Sequence, residues 1–356
     1  MSARMDAQPT NRRKEEAIDV IRTDAEADRR RHHFDSVRLI HRALPEINLA
    51  DVDPSLEFLG RRLSFPLLIS SMTGGDSERL RTINRNLAVA AEMTGVAMGV
   101  GSQRVMFENR GARESFELRE LAPNALLFAN LGAVQLNCGY TPDHCQAAVE
   151  VVGADALILH CNPLQEAVQP EGDTLFGGLV SKIAAVVEQL PVPVVIKEVG
   201  TGVSAADVEG LMRAGVRIID VAGTGGTSWS RVEGHRRAAA GLHDGLGSAF
   251  QDWGIPTPDA LRALRRYRGR IALIASGGIR SGVDMVKAMV LGATMAGMAH
   301  PFLEPALDSA ERVVDVIAQL KREFLTAMWL LGVDRAQKLI GNDALLLGGR
   351  VPAEGA

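Results

Sequence analysis

Cysteine is scarce and carries no pattern. Cys138, Cys145 and Cys161 are the only three in the chain, and without CxxC spacing they indicate neither a disulfide framework nor a zinc knuckle. Long apolar runs are missing as well: no stretch approaches the roughly 18 consecutive apolar residues of a membrane span, and the polar N-terminus has no apolar signal region. Nor does either charge dominate. Lys+Arg number 39 against 43 Asp+Glu, a net charge of −4 with no long run of one sign, which argues against nucleic acid or an anionic membrane as the main partner. These absences point to a soluble cytoplasmic protein. Lysine is rare, occurring only at Lys14, Lys182, Lys197, Lys287, Lys321 and Lys338, so the positions of Lys14 and Lys197 are informative.

What is abundant is hydrophobic material, 46% of 356 residues, enough for a large core. From Pro66 a βα rhythm begins. Eight apolar strand candidates follow one another at Pro66–Ser71, Val96–Gly101, Ala125–Asn130, Ala156–His160, Val192–Lys197, Arg217–Val221, Ile271–Ala275 and Thr294–Met298. Segments of helical period separate them, among them Glu78–Met93, Cys145–Val152, Leu179–Leu190, Ala205–Ala214, Asp259–Arg268 and Val283–Leu291. Eight alternating units favour parallel pairing and closure into a (β/α)8 TIM barrel over an open doubly wound sheet. The expected organisation is a polar N-terminal arm and lead-in over 1–60, the barrel over 61–345 and a C-terminal tail over 346–356. After the sixth strand, residues 224–256 form a connection far longer than the usual two to six residues. Lying at the active-site end of a barrel strand, it reads as a lid or pocket wall.

The stretch Ile271 to Gly282, IALIASGGIRSG, combines a buried strand, a glycine pair at Gly277-Gly278 and a helix start with Ser281 and Asp284 at capping-box spacing. Such a turn offers free N–H groups and a positive dipole end to an anion, and loops after the last two strands of these barrels commonly bind phosphate. The other strand ends carry polar residues: Ser71-Met72-Thr73-Gly74, Gly101-Ser102-Gln103-Arg104, Asn130, His160 to Glu166, Lys197-Glu198 and Gly223 to Ser228. Lys197 at the barrel mouth could form a Schiff base, face an electron-rich ring, or pair with Glu198 or Asp220. Phosphate-cradling glycines with this lysine suit FMN. Glu166 could hold Mg²⁺, which takes one or two carboxylates together with substrate phosphates.

The set Arg13-Lys14, MTGG at Met72–Gly75, GSQR at Gly101–Arg104, HxNxLQE at His160–Glu166, GTGGTSW at Gly223–Trp229, WGIPT at Trp253–Thr257 and SGGIRSG at Ser276–Gly282 resembles type 2 isopentenyl-diphosphate isomerase. The resemblance implies an FMN- and Mg²⁺-dependent isomerase of isoprenoid biosynthesis, acting on a small diphosphate substrate, with flavin reduced by NADPH and a homo-oligomeric assembly, a tetramer or octamer. It assigns FMN to Met72, Thr73, Gly74, Ser102, Asn130, Lys197, Thr227, Gly277, Gly278, Ala299 and His300. It assigns the substrate to Arg13, Lys14, Ser102, Gln103, Arg104, His160, Asn162 and Gln165, the metal to Glu166, and catalysis to Gln165, His160 and Lys197. One departure stands out: Ala17 occupies the place of the histidine in the family's RKxEH arm. The arm itself has little apolar content to dock it and is expected to order on meeting the diphosphate.

The competing reading is an FMN barrel oxidoreductase of the hydroxy-acid oxidase or dihydroorotate dehydrogenase kind. It needs a base for hydride removal, and only His235 and His243 in the long connection are available. A nucleophilic-cysteine dehydrogenase is disfavoured because Gly223–Ser230 contains no cysteine. A flavin- or phosphate-binding module without turnover would not need the polar rim.

Overall fold

The computed structural model describes residues 9–348, and of the expected tail residues 349–356 lie outside them. Among the described residues ten strands form, two of which precede the barrel. β1 (Leu56–Phe58) and β2 (Arg61–Leu63) make an antiparallel hairpin, turned through Leu59 and Gly60, both at positive φ. The remaining eight are β3 (Leu67–Ile69), β4 (Ala97–Gly99), β5 (Leu127–Gly132), β6 (Ala156–Cys161), β7 (Val194–Glu198), β8 (Ile218–Asp220), β9 (Ala272–Ser276) and β10 (Met295–Met298). They pair in parallel in chain order, and β10 closes on β3. The result is the (β/α)8 barrel that the rhythm predicts, each strand falling inside or within a residue or two of its expected span.

Side chains alternate along each strand, so both faces are apolar. Leu68, Ala97, Phe128, Ile158, Val195, Ile218, Ile274 and Met295 point inward. Phe58 and Leu63 of the hairpin join that same cluster, plugging the N-terminal end of the barrel. The hairpin was not expected, since three-residue strands with one buried face leave almost no periodic signal.

The helices start where local chemistry starts them. Ser77 accepts from Leu80 N to open Glu78–Thr94, which ends on Gly95 in the left-handed region. Ser204 and Asp207 cap each other at Ala205–Arg213. At Gly282–Val290 the box is shifted: Ser281 accepts from Asp284 N, but Asp284 reaches back to Arg280 N rather than to Ser281. A 21-residue helix, Ala310–Leu330, which the strand rhythm does not mark, packs on Glu78–Thr94 and Gly282–Val290.

Two segments outside the strand rhythm are helical, and the long connection among them lines the cavity at Trp229 and Glu233. The long connection is not irregular: it forms the helices Trp229–Ala239 and Leu246–Ala249, which touch at Gly234 and Gly247. A Cβ on Gly247 would lie 2.5 Å from the Gly234 Cα. The arm is a helix, Pro9–Thr23, seated against Trp229–Ala239. Ala17 and Ile18 are buried, and Ala17 packs with Val232 and Ala27. Four apolar side chains within little more than one turn, Ala17, Ile18, Val20 and Ile21, therefore supply the docking face that the arm's polar composition conceals.

Candidate active site

One large cavity opens at the C-terminal ends of the strands, walled by every strand end and by the arm. Its phosphate-binding end is built from backbone. Gly277 and Gly278 have φ of 92° and 77°, and a Cβ on Gly277 would fall 2.0 Å from the Gly223 carbonyl oxygen. A Cβ on Gly278 would fall 2.8 Å from the His32 carbonyl oxygen, because residues 27–33 cross here: Ser228 N donates to Ala27 O and Arg29 N to Gly226 O. Arg280, held by Asp28, lines the same end.

The register of β7, β8 and β9 sets the next group. Lys197 lies opposite Asp220, its Nζ 2.9 Å from Oδ2 and 3.1 Å from the Ser276 hydroxyl. That hydroxyl donates to Asp220 Oδ1 at 2.6 Å. Lysine on the cavity wall and lysine in an ion pair, posed as alternatives from the sequence, are here the same lysine. Glu198 points elsewhere, accepting from the N–H groups of Val199, Gly200, Thr201 and Gly202.

On the opposite side, His160 Nδ1 lies 2.7 Å from Asn130 Oδ1. The amide oxygen can only accept, so Nδ1 carries the hydrogen and Nε2 is left as an acceptor. Burial, followed by the cations Arg13, Lys197 and Lys14, pushes this imidazole down to about 4; it is neutral at neutral pH. From the turn after β6, Asn162 Nδ2 donates to Glu166 Oε1 at 2.8 Å and to Gln165 Oε1 at 3.1 Å, while Glu166 Oε2 accepts from Asp173 N. Gln165 Nε2 in turn donates to Glu233 Oε1 at 2.8 Å.

The arm brings the remaining charges. Arg13 donates to Gln169 Oε1, and Lys14 Nζ to the carbonyls of Gly74 and Ser102. Burial and then Arg13 push Lys14 down to about 7, since neither carbonyl carries a full charge. Arg104, bonded to Glu108 and Asp173, completes the cationic end.

Met72, Thr73, Ser102, Asn130, Thr227, Ala299 and His300 all face the cavity, as do Asn162, Gln165 and Glu166. Two expected residues do not. Gly74 stands behind the wall against Phe116 and Asn84, contributing only its carbonyl. Gln103 is fully buried and turned away from the cavity, donating to Ala148 O and accepting from Asn130 N; its side chain ties β4 to β5 instead of meeting a ligand. Sequence reasoning also missed Glu233, 1% exposed on the cavity wall. Nothing local marks it, because its partners Gln165 and Arg236 lie on the separate helix Pro163–Val168 and one turn further along its own helix.

Several buried groups on the wall lack partners within the protein: the hydroxyls of Ser70, Ser71 and Thr73 and the Asn162 amide oxygen. Unmet buried hydrogen-bonding capacity converging on one cavity is what a polar ligand would satisfy. Among the described residues no cluster of three or more His, Cys, Asp or Glu could hold a metal, and no described helix is long and apolar enough to cross a membrane.

Comparison with known proteins adds the following. The family described as FMN-dependent dehydrogenase matches residues 167–345. An isopentenyl-diphosphate delta-isomerase of Paracoccus zeaxanthinifaciens is 55% identical over 338 residues, 94% of this chain and 96% of its own. That of Hydrogenovibrio crunogenus is 50% identical over 343 residues, 96% and 100% of the two chains. Among solved structures, a flavocytochrome b2 variant with bound sulfite superposes with a TM-score of 0.65 at 20% identity, covering 92% of this chain and 80% of its own. A mandelate oxidase with a monooxide FMN adduct gives 0.60 at 20%, covering 87% and 88%. At such identities the oxidases share the fold and no more.

Proposed function

The chain belongs to the isopentenyl-diphosphate delta-isomerases, and we propose that it moves the allylic proton of its substrate beside a reduced FMN, with Glu166 as the residue that would hold Mg²⁺. The observation that carries this reading is the polarity of one cavity. A backbone cradle at Gly277-Gly278 and unpartnered hydroxyls at Ser70, Ser71 and Thr73 fit a ribityl phosphate and its ring. Arg13, Lys14 and Arg104 face them across the mouth and fit a diphosphate. The metal fits as a single-carboxylate site: each Glu166 oxygen accepts one hydrogen bond and has capacity left, and the Asn162 amide oxygen beside it is unpartnered.

Bound reduced FMN supplies an electron-rich ring and a dissociable proton next to an alkene that ordinary side-chain acids protonate poorly. The residues do the rest. Lys197 places a fixed positive charge on the cavity wall and is itself held by Asp220 and Ser276, so its position costs no reorganisation during reaction. Gln165, its amide set by Asn162 and Glu233, orients the reacting carbon chain. Neutral His160 offers Nε2 to the substrate and gains a proton when the diphosphate offsets the three nearby cations. Remote binding at the diphosphate holds the alkene in register. NADPH as the reductant and a homo-oligomeric state belong to the same proposal.

The test is isomerisation of isopentenyl diphosphate by FMN-loaded protein, before and after reduction and with or without Mg²⁺. Activity only in the reduced, metal-supplied state is expected; full turnover with oxidised flavin, or without flavin, would overturn the reading. Glu166→Gln should keep flavin and lose the Mg²⁺ dependence of substrate binding.

A further inference from the structure

Arg236, on the helix Trp229–Ala239, joins three separate pieces of the chain through three different nitrogens. Nε donates to Glu16 of the arm at 3.1 Å, Nη2 to Glu171 at 2.6 Å, and Nη1 to Glu233 at 2.6 Å. Its side chain is 12% exposed and that of Glu233 1%. Glu233 uses its other oxygen to take the Gln165 amide. On the arm helix Glu16 lies three residues beyond Arg13 and two beyond Lys14, so it sits within a turn of both cations. A path of hydrogen-bonded side chains therefore runs from Glu16 of the arm through Arg236 and Glu233 to Gln165, and the arm helix itself joins Glu16 to Arg13 and Lys14.

We propose that Arg236 is a positioning residue that couples docking of the N-terminal arm to the orientation of Gln165. This rests on the isomerase reading of the site for its kinetic consequence, though not for the coupling itself. With the arm seated, Glu16 and Glu171 hold the guanidinium, its fork fixes the Glu233 carboxylate, and Glu233 fixes which way the Gln165 amide faces. With the arm lifted, Arg236 loses one of three anchors and Glu233 loses a fixed partner. Lysine cannot replace it, because one ammonium cannot hold three carboxylates in a planar fork. The site would then commit Gln165 only while the arm is seated.

The experiment uses the full chain loaded with FMN and compares Arg236→Lys, Glu16→Gln and the double variant. Arg236→Lys should lower kcat about tenfold with KM changed less than about threefold and flavin content unchanged, the pattern of lost positioning rather than lost binding. Glu16→Gln should lower kcat about threefold alone and have no further effect in the Arg236→Lys background, because the two act in one path. Multiplying effects, or changes confined to KM, would overturn the proposal. Hydrogen exchange supplies a second readout independent of turnover. Glu16→Gln, whose side chain is 37% exposed and so safe to change, should speed exchange in Trp229–Ala239 and Pro163–Val168, and do so only while Arg236 is present. Exchange indifferent to Glu16 would overturn the coupling even if the protein isomerises, and a protein that does not isomerise would still report the coupling.

Discussion

The two ends of the cavity are built by different means. At the β9–β10 end the wall is main chain: Gly277, Gly278, Gly223 and Gly225 approach one another so closely that no side chain fits between them. At the arm end it is side chain: Arg13, Lys14 and Arg104, from segments far apart in sequence, are held by ion pairs and hydrogen bonds, with the Glu16–Arg236 pair behind them. A backbone wall cannot adjust and binds one fixed group. A wall of long side chains can open and close around a group that arrives and leaves with each turnover. The difference predicts that changes at the first end abolish cofactor retention, whereas changes at the second alter substrate handling.

The largest effect belongs to Gly277→Ala. The new Cβ would meet the Gly223 carbonyl at 2.0 Å, on a residue with φ of 92°, so overpacking of about 1–3 kcal/mol adds to the strain of the left-handed backbone. The purified variant should contain almost no flavin by its visible spectrum; normal flavin content would end the claim that this loop is the phosphate cradle.

Next comes Lys197→Met. Asp220, 1% exposed, would be left as an unpaired buried charge, at a cost of about 3–5 kcal/mol. Adding Asp220→Asn should restore most of the melting temperature but not the isomerisation rate. Recovery of both would reduce Lys197 to a structural ion pair and erase the distinction between it and the barrel core.

How much of this was legible in the sequence follows the same division. The eight strands, the SGG turn, Lys197 and His160 could be read because each is encoded locally, by an apolar run and the glycines or polar residues that end it. The hairpin escaped because Leu56–Phe58 and Arg61–Leu63 are too short to show a period. Gln103 was expected at the cavity like its neighbours Ser102 and Arg104, and only the packing of β4 on β5 shows that its side chain points the other way. Glu233 and Arg236 could not be found at all, since spacing along the chain carries no information that residue 16 meets residue 236. The arm's docking was not foreseen, because four apolar residues among many charges do not announce which surface they cover.

A smaller effect is expected at the arm. Arg13→Ala and Lys14→Ala should each raise the apparent KM for isopentenyl diphosphate by the worth of a charged hydrogen bond, about 1.5–3 kcal/mol, with flavin content unchanged. Loss of flavin in either variant would mean the two ends are not independent.

The smallest effect is also the most specific, because it concerns a single proton. Lys14 is pushed from 10.5 to about 7 when the arm is seated without a ligand. Between those values the undocked arm holds a proton that the docked arm does not, so docking strengthens as pH rises from about 7 to 10.5, is flat below 7 and gains nothing further above 10.5. A diphosphate reverses the sign. Bound beside Lys14, it favours the ammonium, so binding in that window takes up a proton and weakens as pH rises. Inorganic pyrophosphate, titrated against the flavin-loaded protein at several pH values, should therefore lose affinity above pH 7 more steeply for the wild type than for Lys14→Arg. The arginine stays charged throughout, and the probe's own ionisation is common to both and cancels in the ratio. Proteolysis of the unliganded arm should show the opposite trend, with protection growing as pH rises in the wild type and flat in Lys14→Arg. Identical slopes for the two proteins in either measurement would mean that Lys14 keeps its proton in the seated arm, and that the arm end of the cavity is as fixed in charge as the glycine end is in shape.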